Sequence, residues 1–589
     1  MTARVFAMCA GALSLGLACD GRAPEPPPAI DLSPASWTAG DLEEFTARQN
    51  RWGQAVPPPA ARSAHAMISG TSSALAVRSG LEALKRGGSA VDAVLTTALA
   101  QVALVAGSYV SYAGIFFLTY YDAAEDKVYY LNAGFDTPRG ELDPLTIPAE
   151  RSGRTALVPG FFAGVEAAHQ RFGKLPFDAL FTPAIYFADR GFALNDLLAG
   201  YIDRRRLVLS RLPETRAIFS RADGRFYGAG DWFRQPALAE TLRKVAARGS
   251  EYAYREDWAA HLVAAVQADG GTITLEDLRA YAVVWSEPLT TTFRGYQVFA
   301  PGLPAAGGVN TIEALNVLEA AGFPARGSYR NDPESLFWFM QIHRLWLLGF
   351  LPAEVRDGLV EGVDLSPPSR ATKATAAALW SAVERGTFAL TTPPQRTGTH
   401  SDAIVAVDES GNVAALVHTI NTDTWGATGI FVDGISIPDA AAFQQQRVLE
   451  VGPGGRLPEE TEPILVFQGG APVLAASSIG VTHYRTLPFV YNAVAYDLDA
   501  EEASLAPFLL DPDYESATSA SDVVERVIDG AFEPGLLDAT RDLGQPIRTV
   551  SAREAPLYLG YGVGIGIDPA TSQLIGTAPP YLNGAALGY

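Results

Sequence analysis

Cysteine is almost missing from this 589-residue chain: the two present, Cys9 and Cys19, both fall within the first nineteen residues. If that segment is removed, the folded part carries no disulfide, and its stability has to come from core packing. Basic residues are short as well. The 44 Lys+Arg are outnumbered by 65 Asp+Glu, a net charge of -21, which repels nucleic acid and offers anionic lipid no basic surface. Histidine is sparse too. The seven, at 65, 169, 261, 343, 400, 418 and 483, lack the i, i+4 pairing and neighbouring carboxylates of a zinc site, so neither a metal nor a cofactor is expected. There is no G-x-S-x-G elbow and no Walker loop, and Gly562-Val563-Gly564-Ile565-Gly566 sits inside a β-type run rather than at a strand-to-helix turn.

What is present suits a large globular enzyme, with 48% hydrophobic and 19% charged residues. The apolar run Val5 to Ala18 follows Arg4 and is too short to span a bilayer with margin, which suits the core of a signal peptide. Leu15-Gly16-Leu17-Ala18-Cys19 resembles a bacterial lipobox, with Gly16 departing from it. Residues 1–19 are therefore expected to be a signal of lipoprotein type with Cys19 as the lipidation site, placing the protein in the periplasm or cell envelope; a plain cleaved signal and a retained anchor are the alternatives. Prolines at 24, 26, 27 and 28 and again at 57, 58 and 59 predict an extended tether over 20–60.

Beyond residue 60 the pattern predicts one compact unit. Thr71 to Arg86 reads as a helix with Thr71, Ser72 and Ser73 as capping residues and Gly87-Gly88 as its stop, and Ser89 opens a second over Ala90 to Ala106. Ile115 to Tyr121 and Val128 to Leu131 predict a β-hairpin, a long helical region is expected from about Phe161 through Leu351, and β-type runs return near Ser401, at Pro463 to Phe467, Val473 to Ala476 and Leu557 to Ile567. Helices on hairpin sheets in this order predict a layered α/β/β/α body.

Asp408-Glu409-Ser410-Gly411-Asn412 is turn chemistry between two apolar β-runs. Pairing Asp408 with Val413 would set Ser401 opposite Ile420 and beside Thr419 and Asn421, a polar trio at the hairpin's open end. Ser401 then starts a face with Ala403, Val405 and Val407. On composition alone, a polar strand end beside solvent is the ordinary reading of such a trio.

Several separated stretches change that weighting. Leu81-Glu82-Ala83-Leu84-Lys85-Arg86-Gly87-Gly88-Ser89-Ala90-Val91-Asp92-Ala93, Val158-Pro159-Gly160, Phe172-Gly173-Lys174-Leu175-Pro176, Thr274-Leu275-Glu276-Asp277-Leu278 with Tyr281, Arg294-Gly295-Tyr296, Ala305-Ala306-Gly307-Gly308 and Gly584-Ala585-Ala586-Leu587-Gly588-Tyr589 resemble gamma-glutamyltranspeptidases, in family order from about 65 to 589. The resemblance implies a four-layer α/β/β/α N-terminal-nucleophile (Ntn) hydrolase fold. It implies that an internal peptide bond cleaves itself before a nucleophile whose freed α-amine serves as its base. The regions 61–400 and 401–589 would become a large and a small subunit in one catalytic unit, the two fragments staying associated.

Two alignments to the family's Thr-Thr-His pattern compete. Matching the Thr-His pair puts Gly398 at the nucleophile; counting back without gaps from Asp408 and Gly411-Asn412 puts Ser401 there, with Thr419 to bond it and Asn421 to bond substrate. We follow the ungapped alignment, because a one-residue slip in a strand exchanges its faces. Cleavage is then expected between His400 and Ser401, with Thr399 as the alternative nucleophile and Ile479-Gly480 at the family's oxyanion position.

Both of the family's charged clamps have changed. Gly134 stands where the family's arginine holds the substrate α-carboxylate, and Ala441-Ala442-Phe443 replaces the Asp-Asp-Phe that binds its α-amine. The paired serines before Pro-Thr become Glu459-Glu460-Thr461-Glu462-Pro463-Ile464, which is expected to bring anionic groups to the pocket, and Tyr112-Ala113-Gly114-Ile115 is expected to bring aromatic bulk to the pocket floor. The expected function is a self-processing amidohydrolase or acyltransferase acting on a small amide or peptide that is no longer a plain gamma-glutamyl compound. The alternatives are an uncleaved, inactive envelope binding protein and an ordinary glutathione hydrolase.

Overall fold

The computed structural model describes residues 30–54, 56–386, 401–480, 482–514 and 522–589. Cys9, Cys19, Gly398, Thr399 and His400 lie outside the described residues. Two seven-stranded antiparallel sheets form the centre. One runs, in spatial order, Ala585–Gly588, Met67–Gly70, Ser401–Val407, Val413–Thr419, Ile115–Asp122, Lys127–Ala133 and Val284–Ser286. The other runs Ala61–Ser63, Leu574–Thr577, Gly560–Ile567, Ala471–Gly480, Ile464–Gln468, Tyr296–Ala300 and Leu289–Phe293.

Every residue of Ser401–Val407 is buried, because the strand is covered on both faces. Ala403, Val405 and Val407 point between the sheets, where they meet Leu465, Ala475, Ile479, Val563 and Ile565. Ile404 and Ala406 point the other way, into a core built with the helices Ala74–Lys85 and Ala90–Leu104. Beyond the second sheet, Ala306–Ala320, Lys373–Glu384 and Thr482–Tyr496 close the outer layer. The expected α/β/β/α order is the one observed. No helix among the described residues is long and apolar enough to cross a membrane.

Three local expectations change. Residues 30–49 are not a free tether: Thr38 caps a helix over Ala39–Gln49, and Leu32, Trp37 and Phe45 are buried in the helical core. Those three apolar side chains give the segment a face to bury, which its flanking prolines concealed. The region from 161 to 351 is interrupted by strands at Val284–Ser286, Leu289–Phe293 and Tyr296–Ala300, where β-branched and aromatic residues flank a turn with Arg294 and Gly295 at φ 49° and 84°. Ser73 is not a side-chain cap. It adopts φ 61°, and Asn583 near the C-terminus instead takes the Ser73 and Ala74 N–H groups at 3.0 and 2.8 Å.

Candidate active site

The hairpin that carries Ser401 is one register away from the sequence expectation. Ser401 pairs with Thr419, not Ile420, and Val407 with Val413. The loop has three residues, Glu409 to Gly411, and the Asp408 N–H donates to Asn412 O at 3.1 Å. Gly411 sits at φ 81°, a left-handed bulge position that suits glycine. Asp408 holds the turn through Oδ1, which accepts the N–H groups of Ser410 and Asn412 at 2.8 and 3.1 Å. Its Oδ2 accepts Asn412 Nδ2 at 2.8 Å and the first N–H of the Ala90 helix at 3.0 Å.

At the open end Ser401 is 8% exposed. Directly opposite residues on one face of an antiparallel pair have Cβ atoms about 5 Å apart, so the Ser401 and Thr419 hydroxyls share the inter-sheet face. Asn421 does not lie beside Ser401 in the ladder. The chain turns out of the strand at φ 51°, and the Asn421 N–H donates to Thr419 Oγ1 at 2.9 Å. Its side-chain amide donates to the Glu459 carboxyl.

Thr71 pins the start of the Ser401 strand. Its N–H donates to Ala403 O at 3.0 Å, its Oγ1 accepts the Ala403 N–H at 2.9 Å, and it donates to Asp402 Oδ1 at 3.0 Å. Asp402 and His418 form the next pair and face the helices. Burial pushes the Asp402 carboxyl up to about 7 and the His418 ring down to about 3; His418 Nε2 and Gln101 Oε1 lie 2.9 Å apart.

Ala471–Gly480 packs face to face with the Ser401 strand, and Ile479 lies in the same apolar layer as Ala403. Gly480 ends that strand at φ 76°, where an added Cβ would meet Leu559 O at 2.9 Å. The helix Thr482–Tyr496 begins two residues on, so the positive end of its dipole lies at this turn. On the other flank, a Cβ at Gly114 would meet Thr419 O at 2.4 Å. Tyr112 does not reach a pocket floor: it is 2% exposed, stacks on Phe162 and donates to Leu99 O at 2.7 Å.

At Gly134 the space is taken by another element. A Cβ there would come within 3.1 Å of Arg456 Cδ and 3.0 Å of Asn132 Oδ1. Arg456 bonds through all three nitrogens, with Nε donating to Asp136 Oδ1 at 2.5 Å, Nη1 to Asn132 O at 2.9 Å and Nη2 to Ala282 O at 2.8 Å. Ala442 is buried. Its N–H donates to Asp439 O at 2.9 Å, and the Asp439 carboxylate accepts the Thr422 hydroxyl at 2.7 Å and the Ala427 N–H at 2.8 Å.

The run Glu459 to Glu462, named from the sequence, supplies two buried acids. Glu459 is 1% exposed and burial pushes its carboxyl up to about 8. Glu462 meets His483 Nδ1 at 2.9 Å, three residues beyond Gly480; burial holds the carboxyl well above its ordinary range and pushes the ring down to about 3. The sequence pointed to this run of Glu at 459, 460 and 462 but not to the burial or the partners of Glu459 and Glu462, Asn421 and His483, which strand-adjacent carboxylates have to find.

Comparison with known proteins supplies the family. The model of the family described as Gamma-glutamyltranspeptidase matches residues 76–526. The chain is 27% identical over 477 residues to the glutathione hydrolase proenzyme of Pseudomonas sp. (strain A14), covering 74% of this chain and 80% of that protein. It is 24% identical to the glutathione hydrolase proenzyme of Bacillus subtilis (strain 168), covering 88% and 90%. Cephalosporin acylase from Bacillus halodurans shares the fold at a TM-score of 0.74 and 22% identity, over 91% of this chain and 97% of that one. Matched over most of its length, with its α/β/β/α layers and Ser401 hairpin in place, the chain belongs to the gamma-glutamyltranspeptidase family of Ntn hydrolases and acyltransferases.

Proposed function

We propose that this protein is a self-processing amidohydrolase or acyltransferase that uses Ser401 as its nucleophile and acts on acyl donors other than plain gamma-glutamyl compounds. The observation that carries the reading is the placement of Ser401. It is the first residue of a doubly covered strand, directly opposite Thr419, in the register that keeps Asp408 and Gly411-Asn412 in the turn. In processing, Ser401 Oγ attacks the His400 carbonyl, the C–N bond breaks as the nitrogen takes the hydroxyl proton, and water hydrolyses the resulting ester. The freed α-amine titrates near neutrality, at about 8, so it can accept the Oγ proton when the substrate carbonyl is attacked. Thr419 orients the hydroxyl, and backbone amides at Ile479-Gly480 stabilise the oxyanion.

The change of specificity is supported by Gly134, whose missing side chain is replaced in space by Arg456, itself paired with Asp136, and by Ala442, which offers no carboxylate. We also propose export with lipid attachment at Cys19, which palmitate labelling of wild type against Cys19→Ala would test.

Expression of residues 20–589 tests the function. Two chains, the shorter beginning at Ser401, should appear for wild type and a single chain for Ser401→Ala, with hydrolysis of acyl anilides only in the former. A single uncleaved wild-type chain would instead support the inactive binding protein, and an N-terminus at Thr399 would move the nucleophile.

A further inference from the structure

The Glu459 carboxyl is half used. Its Oε2 accepts the Asn421 side-chain amide, while Oε1 is buried with no hydrogen-bond partner. An unpaired buried oxygen of this kind costs free energy until a ligand meets it. The position is fixed from both sides. The Glu459 carbonyl accepts the Ala306 and Gly307 N–H groups at 2.8 and 3.3 Å, and Asn421 is tied to Thr419, the cross-strand partner of Ser401. Two hydrogen-bonded residues therefore connect the unpaired oxygen to the Ser401 pair.

The charges facing Glu459 are Arg447, Glu460 and Arg456, and the Tyr130 phenol lies close enough to feel its charge. Each arginine already holds a carboxylate of this chain. Arg447 is paired with Glu460, and Arg456 is held by Asp136, Asn132 and Ala282 while lying over the Tyr281 ring at 4.9 Å. The adjoining wall, with Phe135, Ala305, Ala441 and Leu457, is apolar. An anionic head would meet two glutamates and no unmatched guanidinium, whereas a nitrogen donor would complete Glu459.

Building on the proposed Ser401 chemistry, we propose that Glu459 reads the far end of the acyl group, and that the substrates are amides of acyl chains ending in a nitrogen hydrogen-bond donor, an amine or a carboxamide, rather than in a carboxylate. Ionised Glu459 pairs with an ammonium head, and its carboxyl oxygens accept N–H from a carboxamide. Burial raises this carboxyl, so pairing with an ammonium strengthens as pH rises toward 8 and carboxylate heads are increasingly excluded over the same range.

The test uses three p-nitroanilides of equal length, 5-aminopentanoyl, 4-carbamoylbutanoyl and 4-carboxybutanoyl, with wild type, Glu459→Gln and Glu459→Ser. For wild type at pH 8, kcat/KM for the two nitrogen-headed donors should exceed that for the carboxylate by about tenfold or more. Glu459→Gln should lose the amine preference by about tenfold and keep carboxamide turnover within about threefold; Glu459→Ser should lose both preferences. Calorimetric binding of pentylamine, valeramide and valerate to the wild-type protein gives a readout independent of turnover. Ranked binding without turnover sinks the Ser401 chemistry alone. Turnover with the carboxylate donor equal or preferred, or with a ranking unchanged in Glu459→Gln, overturns the Glu459 assignment alone, and absence of both turnover and ranked binding overturns both.

Discussion

Asp402→Asn isolates the free energy stored beneath the Ser401 strand. Asp402 is 0% exposed, and burial moves its carboxyl from 3.8 to about 7. The folded protein thus holds the proton more tightly than the unfolded chain. The stability this confers is complete below about pH 4 and is lost as pH rises to about 7, a swing of about 4 kcal/mol at most. Asparagine keeps the oxygen that accepts from Thr71 Oγ1 and does not titrate. Urea unfolding of wild type and Asp402→Asn, both in a Ser401→Ala background so that covalent state is shared, would be followed from pH 4 to 8. The two should coincide near pH 4, with the variant gaining progressively up to pH 7 and the gap constant above. Curves that stay parallel over that range would refute the assignment of a buried, protonated Asp402.

Three further outcomes are expected. Thr419→Val removes the acceptor of the Asn421 N–H, about 1 kcal/mol, and should slow appearance of the Ser401 N-terminus about fivefold in a gel time course. Gly480→Ala places a Cβ at φ 76° and 2.9 Å from Leu559 O; a cost of about 1–2 kcal/mol should lower both the melting temperature and kcat. Arg456→Met strands the Asp136 carboxylate and should destabilise by about 3–5 kcal/mol in urea titrations, with Asp136→Asn in the same chain recovering part of the loss.

The sequence disclosed layers and turns better than offsets. The Asp408 to Asn412 turn was readable because Ser-Gly-Asn has local chemistry, and the alternating apolar residues after Ser401 placed its face correctly. The ladder was off by one because a left-handed Gly411 shortens the loop by one residue, a backbone choice that apolar periodicity does not encode. Glu462 and His483, 21 residues apart, meet only because a strand ends at Gly480 and a helix starts beside it. Arg456 filling the space of Gly134 is a contact across 322 positions, invisible to any reading along the chain.

The strand order has a consequence for how the chain can be divided. In one sheet Met67–Gly70 lies between Ala585–Gly588 and Ser401–Val407, and in the other Ala61–Ser63 and Tyr296–Ala300 flank four strands from beyond residue 463. Neither the stretch before residue 400 nor the stretch after it owns either seven-stranded sheet complete. The two halves are woven rather than docked, so a break at residue 400 would alter connectivity while leaving the ladders to hold the pieces. Separating them would mean unfolding both, and halves synthesised apart would each have to find the other before either had a core.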